Sequence, residues 1–136
     1  MKIVDALVHS MLALVLAATC LAVLAAGCAS KKAAYQVPPG ETGVTVEASS
    51  FEFKPNLIHA RTGEALLLKV TNVAGRTHNL TVLDPQGESL ANVDLPAGQT
   101  TEIRLPPLAA GAYPFFCGKP FHPSLGMKGE IRVDAP

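Results

Sequence analysis

The sequence predicts an all-β fold, a Greek-key β-sandwich of about eight strands occupying residues 44–136. Three observations carry that expectation. After Val44 no segment sustains a helical period. Short runs rich in Val, Leu, Ile, Thr and Phe alternate in hydrophobicity at period two, and Gly, Pro, Asn and Asp punctuate them. Strands of this length and spacing suit two packed antiparallel sheets.

The first run, "VTVEAS" from Val44, places Val44, Val46 and Ala48 on one face. An apolar piece from Phe51 to Ile58 follows, then "EALLLKVTN" from Glu64 and "HNLTVL" from His78. "SLANVDL" from Ser89 carries the weakest apolar pattern; "TTEIRL" from Thr100, "AYPFFC" from Ala112 and "KGEIRV" from Lys128 alternate more clearly. No internal repeat or low-complexity tract competes with this pattern. In phase, His78 shares the face of Leu80 and Val82, Cys117 that of Tyr113 and Phe115, and Met127 that of Ile131 and Val133. Each is expected on the face its strand gives to the core, with the 118–126 loop at one end of the sandwich.

Ahead of the domain, Lys2 precedes an apolar run from Met11 to Ala26 that ends in small residues, the pattern of a secretory signal. The ending "LAAGC" before "ASKK" resembles the lipobox of bacterial lipoproteins, with Ala25 standing where a leucine is usual and Leu24 one place further back. That resemblance implies a signal over residues 1–27, cleavage before Cys28, and Cys28 as the lipid-bearing N-terminus that holds the domain on a membrane. An ordinary cleaved signal, giving a soluble periplasmic protein, and an uncleaved anchor are the alternatives. Each version exports the domain, to the periplasm or the cell surface. Residues 28–43, with Pro38-Pro39-Gly40 and no apolar period, are expected to form a flexible tether.

Net formal charge is zero, with 11 basic and 11 acidic side chains, so no basic stripe points to nucleic acid. Of three cysteines, Cys20 and Cys28 lie in the N-terminal segment, leaving Cys117 without a disulfide partner in the domain. The stretch "CGKPFHPSLGM" sets that thiol beside an imidazole and a thioether in a loop stiffened by Pro120 and Pro123. Soft sulfur with imidazole selects copper or zinc, and two His, one Cys and a weak axial Met is the donor set of an electron-transfer copper centre. His78, Cys117 and His122 supply the strong donors and Met127 the thioether; a thioether is not a usual zinc ligand.

At this point the chain resembles the cupredoxins, the small blue copper proteins, over most of residues 44–133. "THNLTV" and "YPFFCGKPFHPSLGMKGEIRV" carry the resemblance, supported by "FEFKPNLIHARTGEALLLKVTN". The C-x4-H-x4-M spacing is similar to that of the rusticyanin and auracyanin members. The resemblance implies one copper ion cycling between Cu(I) and Cu(II), ligated by His78, Cys117, His122 and Met127. It also implies that Asn79 ties the His78 strand to the cysteine loop through hydrogen bonds. Pro120, Phe121, Pro123 and Leu125 around His122 are expected as an apolar docking patch for a redox donor and acceptor. The function implied is single-electron transfer by an exported monomer, with no catalysis of its own.

Rival functions belong to other classes. A thiol enzyme with Cys117 as nucleophile and His122 as base leaves His78 and Met127 without a role. A multicopper enzyme needs more histidines than His59, His78 and His122, and a dinuclear copper centre needs a second cysteine. A copper chaperone or store, or an accessory domain of a membrane redox complex, stays open. His59 is expected at the surface.

Overall fold

The computed structural model describes residues 33–135, which form ten strands and no helix. In chain order these are β1 (Ala34–Gln36), β2 (Gly43–Ser49), β3 (Glu52–Lys54), β4 (Leu57–Arg61) and β5 (Leu66–Asn72). They continue with β6 (His78–Leu83), β7 (Ser89–Leu95), β8 (Thr100–Leu105), β9 (Gly111–Phe116) and β10 (Lys128–Asp134). A six-stranded sheet runs β1-β4-β10-β9-β6-β7 and a four-stranded sheet runs β3-β2-β5-β8. The sandwich expected from the sequence is present. Its two additional strands come from β1 and from the division of the Phe51–Ile58 piece into β3 and β4, which join opposite sheets.

Period-two alternation explains the layers. β2 buries Val44, Val46 and Ala48 while Thr45 and Glu47 stay exposed. β5 buries Leu66, Leu68, Val70 and, at its end, the polar Asn72. From the six-stranded sheet, Ile58, Leu80, Val82, Tyr113, Phe115, Ile131 and Val133 complete the core. Phe53 and Phe115 join the two sheets in an edge-to-face pair with ring centroids 5.5 Å apart, a geometry worth about 0.5–1.5 kcal/mol beyond area burial. The weak pattern of "SLANVDL" has a plain cause: β7 is an edge strand, where only Leu95 is buried. His59 is half-buried and lies 3.7 Å from the Asp134 carboxylate across the β4–β10 ladder.

One expectation is corrected. Residues 28–43 do not act throughout as a flexible tether. β1 adds in parallel to β4, Ala33 C=O accepts from the N–H groups of Asn56 and Leu57, and Val37 is buried with its N–H on His59 C=O at 2.9 Å. The edge of the sheet offered unpaired backbone groups that this segment satisfies, and the Pro-Pro-Gly that suggested a linker is only the turn into β2. The signal, Cys28 and the rest of that segment lie outside the described residues.

The sheet is not continuous where the site will sit. β6 and β9 pair only at Thr81–Phe116 and Val82–Phe115, after which the two strands part toward His78 and Cys117. β9 and β10 stay paired up to Phe116–Lys128, so the ligand loop emerges from a closed hairpin. Gly129, beside that loop, has no room for a side chain. A Cβ there would stand 2.5 Å from Asn56 O and collide with the Phe115 ring.

Replacing Gly129 with Ala should therefore lower stability by about 1–3 kcal/mol, because a backbone carbonyl and a core ring already paired with Phe53 must both move. A reduced denaturation midpoint at unchanged slope is the expected result, and a midpoint equal to the parent's would show that the contact relaxes freely.

Candidate metal centre

Each strong donor is delivered by a different local device. His78 is the first residue of β6, paired with Leu95 of β7. The residues before it, 73–77, are held by Asn72, which is fully buried. Its Nδ2 donates to Arg76 O at 2.9 Å and to Leu95 O at 2.7 Å, while its Oδ1 accepts from Ala74 N–H at 3.0 Å. Every hydrogen-bonding position of that side chain that faces the loop is used, so the chain enters β6 along one path.

Cys117 follows β9 and is fully buried. Gly118 N–H donates to Asn79 Oδ1 at 2.5 Å, and Asn79 Nδ2 donates to Asn92 Oδ1 at 2.9 Å and Thr81 Oγ1 at 3.4 Å. In register, Asn79 lies opposite Gly118 where the β6–β9 ladder has stopped. The side chain thus replaces the missing backbone bond and keeps the two ligand-bearing strands at a fixed separation.

The loop closes on itself through backbone bonds. Cys117 N–H donates to Met127 O at 3.0 Å, Met127 N–H to His122 O at 2.9 Å, and His122 N–H to Lys119 O at 3.2 Å. Leu125 N–H reaches Phe121 O at 3.0 Å, and Ser124 Oγ caps the same carbonyl at 2.8 Å. Three ligand residues therefore share one hydrogen-bonded ring, with Met127 fully buried inside it. Phe121 adopts φ 66°, a left-handed conformation uncommon outside glycine. It turns the phenyl ring outward, where it is 78 % exposed.

The donor atoms converge. Nδ1 of His78 and Nδ1 of His122 are 3.2 Å apart, and Cys117 Sγ lies 3.8 Å from the first and 3.3 Å from the second. Three atoms at the corners of such a triangle suit an ion bound at roughly 2.0–2.3 Å from each. Two imidazoles, one thiol and the neighbouring thioether of Met127 make the cluster one type 1 copper site. The pKa of His78 is lowered, chiefly by burial, then by the nearby His122 and by Lys119. The ring consequently stays neutral, with a lone pair free for metal, below the pH at which an exposed imidazole would be protonated.

The structure also places residues that the sequence pattern did not single out. Phe51, in the β2–β3 turn of the opposite sheet, meets the His122 ring edge-on at 5.1 Å between centroids. It adopts φ 65° in the turn and is 41 % exposed beside the site. Asn72 had a weak signal, a polar residue in phase with Leu66, Leu68 and Val70. Pro120, Phe121 and Leu125 are exposed and Pro123 is half-buried around His122.

Comparison with known proteins agrees with this fold. No curated protein matches the chain. Among solved structures, dithionite-reduced auracyanin from the photosynthetic bacterium Roseiflexus castenholzii is similar at TM-score 0.62 and 20 % identity, covering 71 % of this chain and 98 % of that one. Auracyanin A, a "blue" copper protein from the green thermophilic photosynthetic bacterium Chloroflexus aurantiacus, is similar at TM-score 0.57 and 20 % identity, covering 68 % and 99 %. Reduced rusticyanin is similar at TM-score 0.58 and 21 % identity, covering 80 % and 89 %. At these identities the likeness speaks for the fold. The family model for the cupredoxin-like domain matches residues 14–133, and the chain belongs to the cupredoxin-like family.

Proposed function

We propose that this protein is an exported carrier of single electrons, held at a membrane by lipid on Cys28. The observation that supports it most is the convergence of Nδ1 of His78, Nδ1 of His122 and Sγ of Cys117 within 3.8 Å of one another, with the thioether residue Met127 held by backbone bonds to Cys117 and His122. Copper bound there supplies a reversible one-electron couple. The chain's own contribution is rigidity: Asn72, Asn79 and the 117–127 ring of backbone bonds hold the donors in one arrangement, so little has to move when the charge changes. Auracyanin A, similar in fold, is a blue copper protein, which favours this reading over a thiol enzyme.

His122 is the ligand that reaches the surface, while His78 and Cys117 are buried. Phe121 and Leu125, 78 % and 58 % exposed, border it with Pro120 and Pro123. An exposed apolar rim around the accessible ligand suits a redox partner that docks there and excludes water. A copper chaperone would be served by an open cluster of exchangeable Met and His, whereas Met127 here is fully buried.

The copper-loaded protein should show an intense visible thiolate-to-copper band and a reversible one-electron wave, and a colourless copper complex would overturn the reading. Met127→Leu should keep the band and raise the midpoint potential, because a weak donor that favours the oxidised ion is lost, with a stability cost below about 1.5 kcal/mol. Met127→Gln, a stronger donor, should lower it. Equal potentials in both variants would remove Met127 from the ligand set. Phe121→Glu should slow exchange with the physiological donor or acceptor several-fold and leave the copper spectrum intact, and unchanged rates would exclude the rim from docking. For the anchor, Cys28→Ser should abolish lipid attachment and release the domain from membranes; unchanged mature mass and partition would exclude lipidation.

A further inference from the structure

Phe51 belongs to the turn between β2 and β3 of the four-stranded sheet, yet it touches the ligand loop of the other sheet at two points. Its ring meets the His122 ring with centroids 5.1 Å apart and planes at 79°. Its carbonyl oxygen lies 3.4 Å from the point where a Cβ on Gly126 would stand. Backbone bonds of the loop fix the main chain of His122, but the side-chain torsions that aim Nδ1 at Cys117 are set by what the ring touches. Room to turn is present, because an open pocket of about 400 Å³ has Phe51, Arg76, His78 and His122 among its lining residues. Phe51 holds φ 65°, a conformation that glycine adopts at no steric cost and a phenylalanine does not. With the ring 41 % exposed, neither the geometry of the turn nor burial in the core accounts for an aromatic side chain at this position.

From this conjunction we propose that Phe51 is a positioning residue for the copper centre, whose ring holds the His122 imidazole with Nδ1 turned to the site before metal binds and keeps water from that side of the ligand. The turn is well placed for this task. β2 and β3 pair on either side of it from Ser49–Glu52 inward, and Phe53 is fully buried in an edge-to-face pair with Phe115 of β9, the strand that leads to Cys117. The position of Phe51 is therefore set by the core and not by the loop it steadies. An imidazole held in this way loses little freedom when it ligates. Water excluded from its edge favours the less charged, reduced centre, so the Phe51 ring raises the midpoint potential. The inference deepens the electron-carrier reading and rests on it only for the use made of that potential; the positioning itself concerns the ligand set.

Phe51→Gly removes the ring and relieves the left-handed backbone at once, so the fold and the site should respond differently. In the metal-free full chain the denaturation midpoint should stay at or above the parent's. NMR scalar couplings of the His122 side chain, which report one dominant χ1 rotamer in the parent, should average over several in the variant. Transfer of copper(I) from the loaded variant to an excess of chelator should be roughly three- to tenfold faster, the factor that corresponds to a lost aromatic pair, and the midpoint potential should fall. Phe51→Tyr, which keeps the ring, should restore couplings, release rate and potential. A single His122 rotamer in the glycine variant, release within about twofold of the parent's, or a tyrosine variant as loose as the glycine one overturns the proposal. A lowered denaturation midpoint with parent-like couplings and release also overturns it, by assigning Phe51 to the fold alone. A copper-loaded parent without the blue band or the one-electron wave would instead overturn the electron-carrier reading and leave the metal-free couplings readable.

Discussion

The backbone bond from Cys117 N–H to Met127 O, 3.0 Å long, closes the end of the β9–β10 hairpin, and the centre depends on it. It converts an eleven-residue connection into a ring whose two ends both carry sulfur, and the bond from Met127 N–H to His122 O then divides the ring so that the imidazole faces the thiol. With Pro120 and Pro123 limiting the backbone inside it, the loop has little freedom left to lose when a metal binds. The cost of ordering is met during folding, by the core that holds Phe115 and Ile131 on either side of the hairpin.

The remaining ligand must come from elsewhere in the sandwich, and two asparagines bring it. β6 and β9 separate after two residue pairs, which opens the gap in which thiol and imidazole can approach a common point. A continuous ladder would leave no such gap. Asn79 spans it from β6 to Gly118, and Asn72 at the end of β5 steers the 73–77 loop into His78. Buried polar side chains are tolerated only when their hydrogen bonds are made, and both of these are well supplied. Their geometry is therefore a constraint on the site rather than a weakness in the core.

The apolar balance at this end of the molecule differs from the rest. Apart from Tyr35 on β1, the exposed large hydrophobic side chains among the described residues are Phe51, Val73, Phe121 and Leu125. Of these, Phe51 and Phe121 are the two non-glycine residues with positive φ among the described residues. Left-handed backbone is costly for an aromatic residue, so these rings are held outward against local preference. The same surface contains Arg76 and the one ligand that solvent can reach, a combination of apolar contact area and a positive group suited to a partner of complementary character.

By itself the sequence determined the two-layer sandwich and the four ligand positions, because both are written in short-range pattern. Period-two burial needs only neighbouring residues, and Cys117, His122 and Met127 fall within one loop. The tertiary structure alone decided the rest. β1 was hidden because pairing at a sheet edge is made by backbone groups that no side-chain pattern records, and the composition of residues 34–37 matches that of a linker. The place of Phe51 was hidden because its contact with His122 joins the β2–β3 turn to the ligand loop. The role of Asn72 was hidden because its side chain joins β5 to the 73–77 loop and β7, and the convergence of His78 on Cys117, 39 positions apart, exists only once β6 and β9 lie side by side and then diverge.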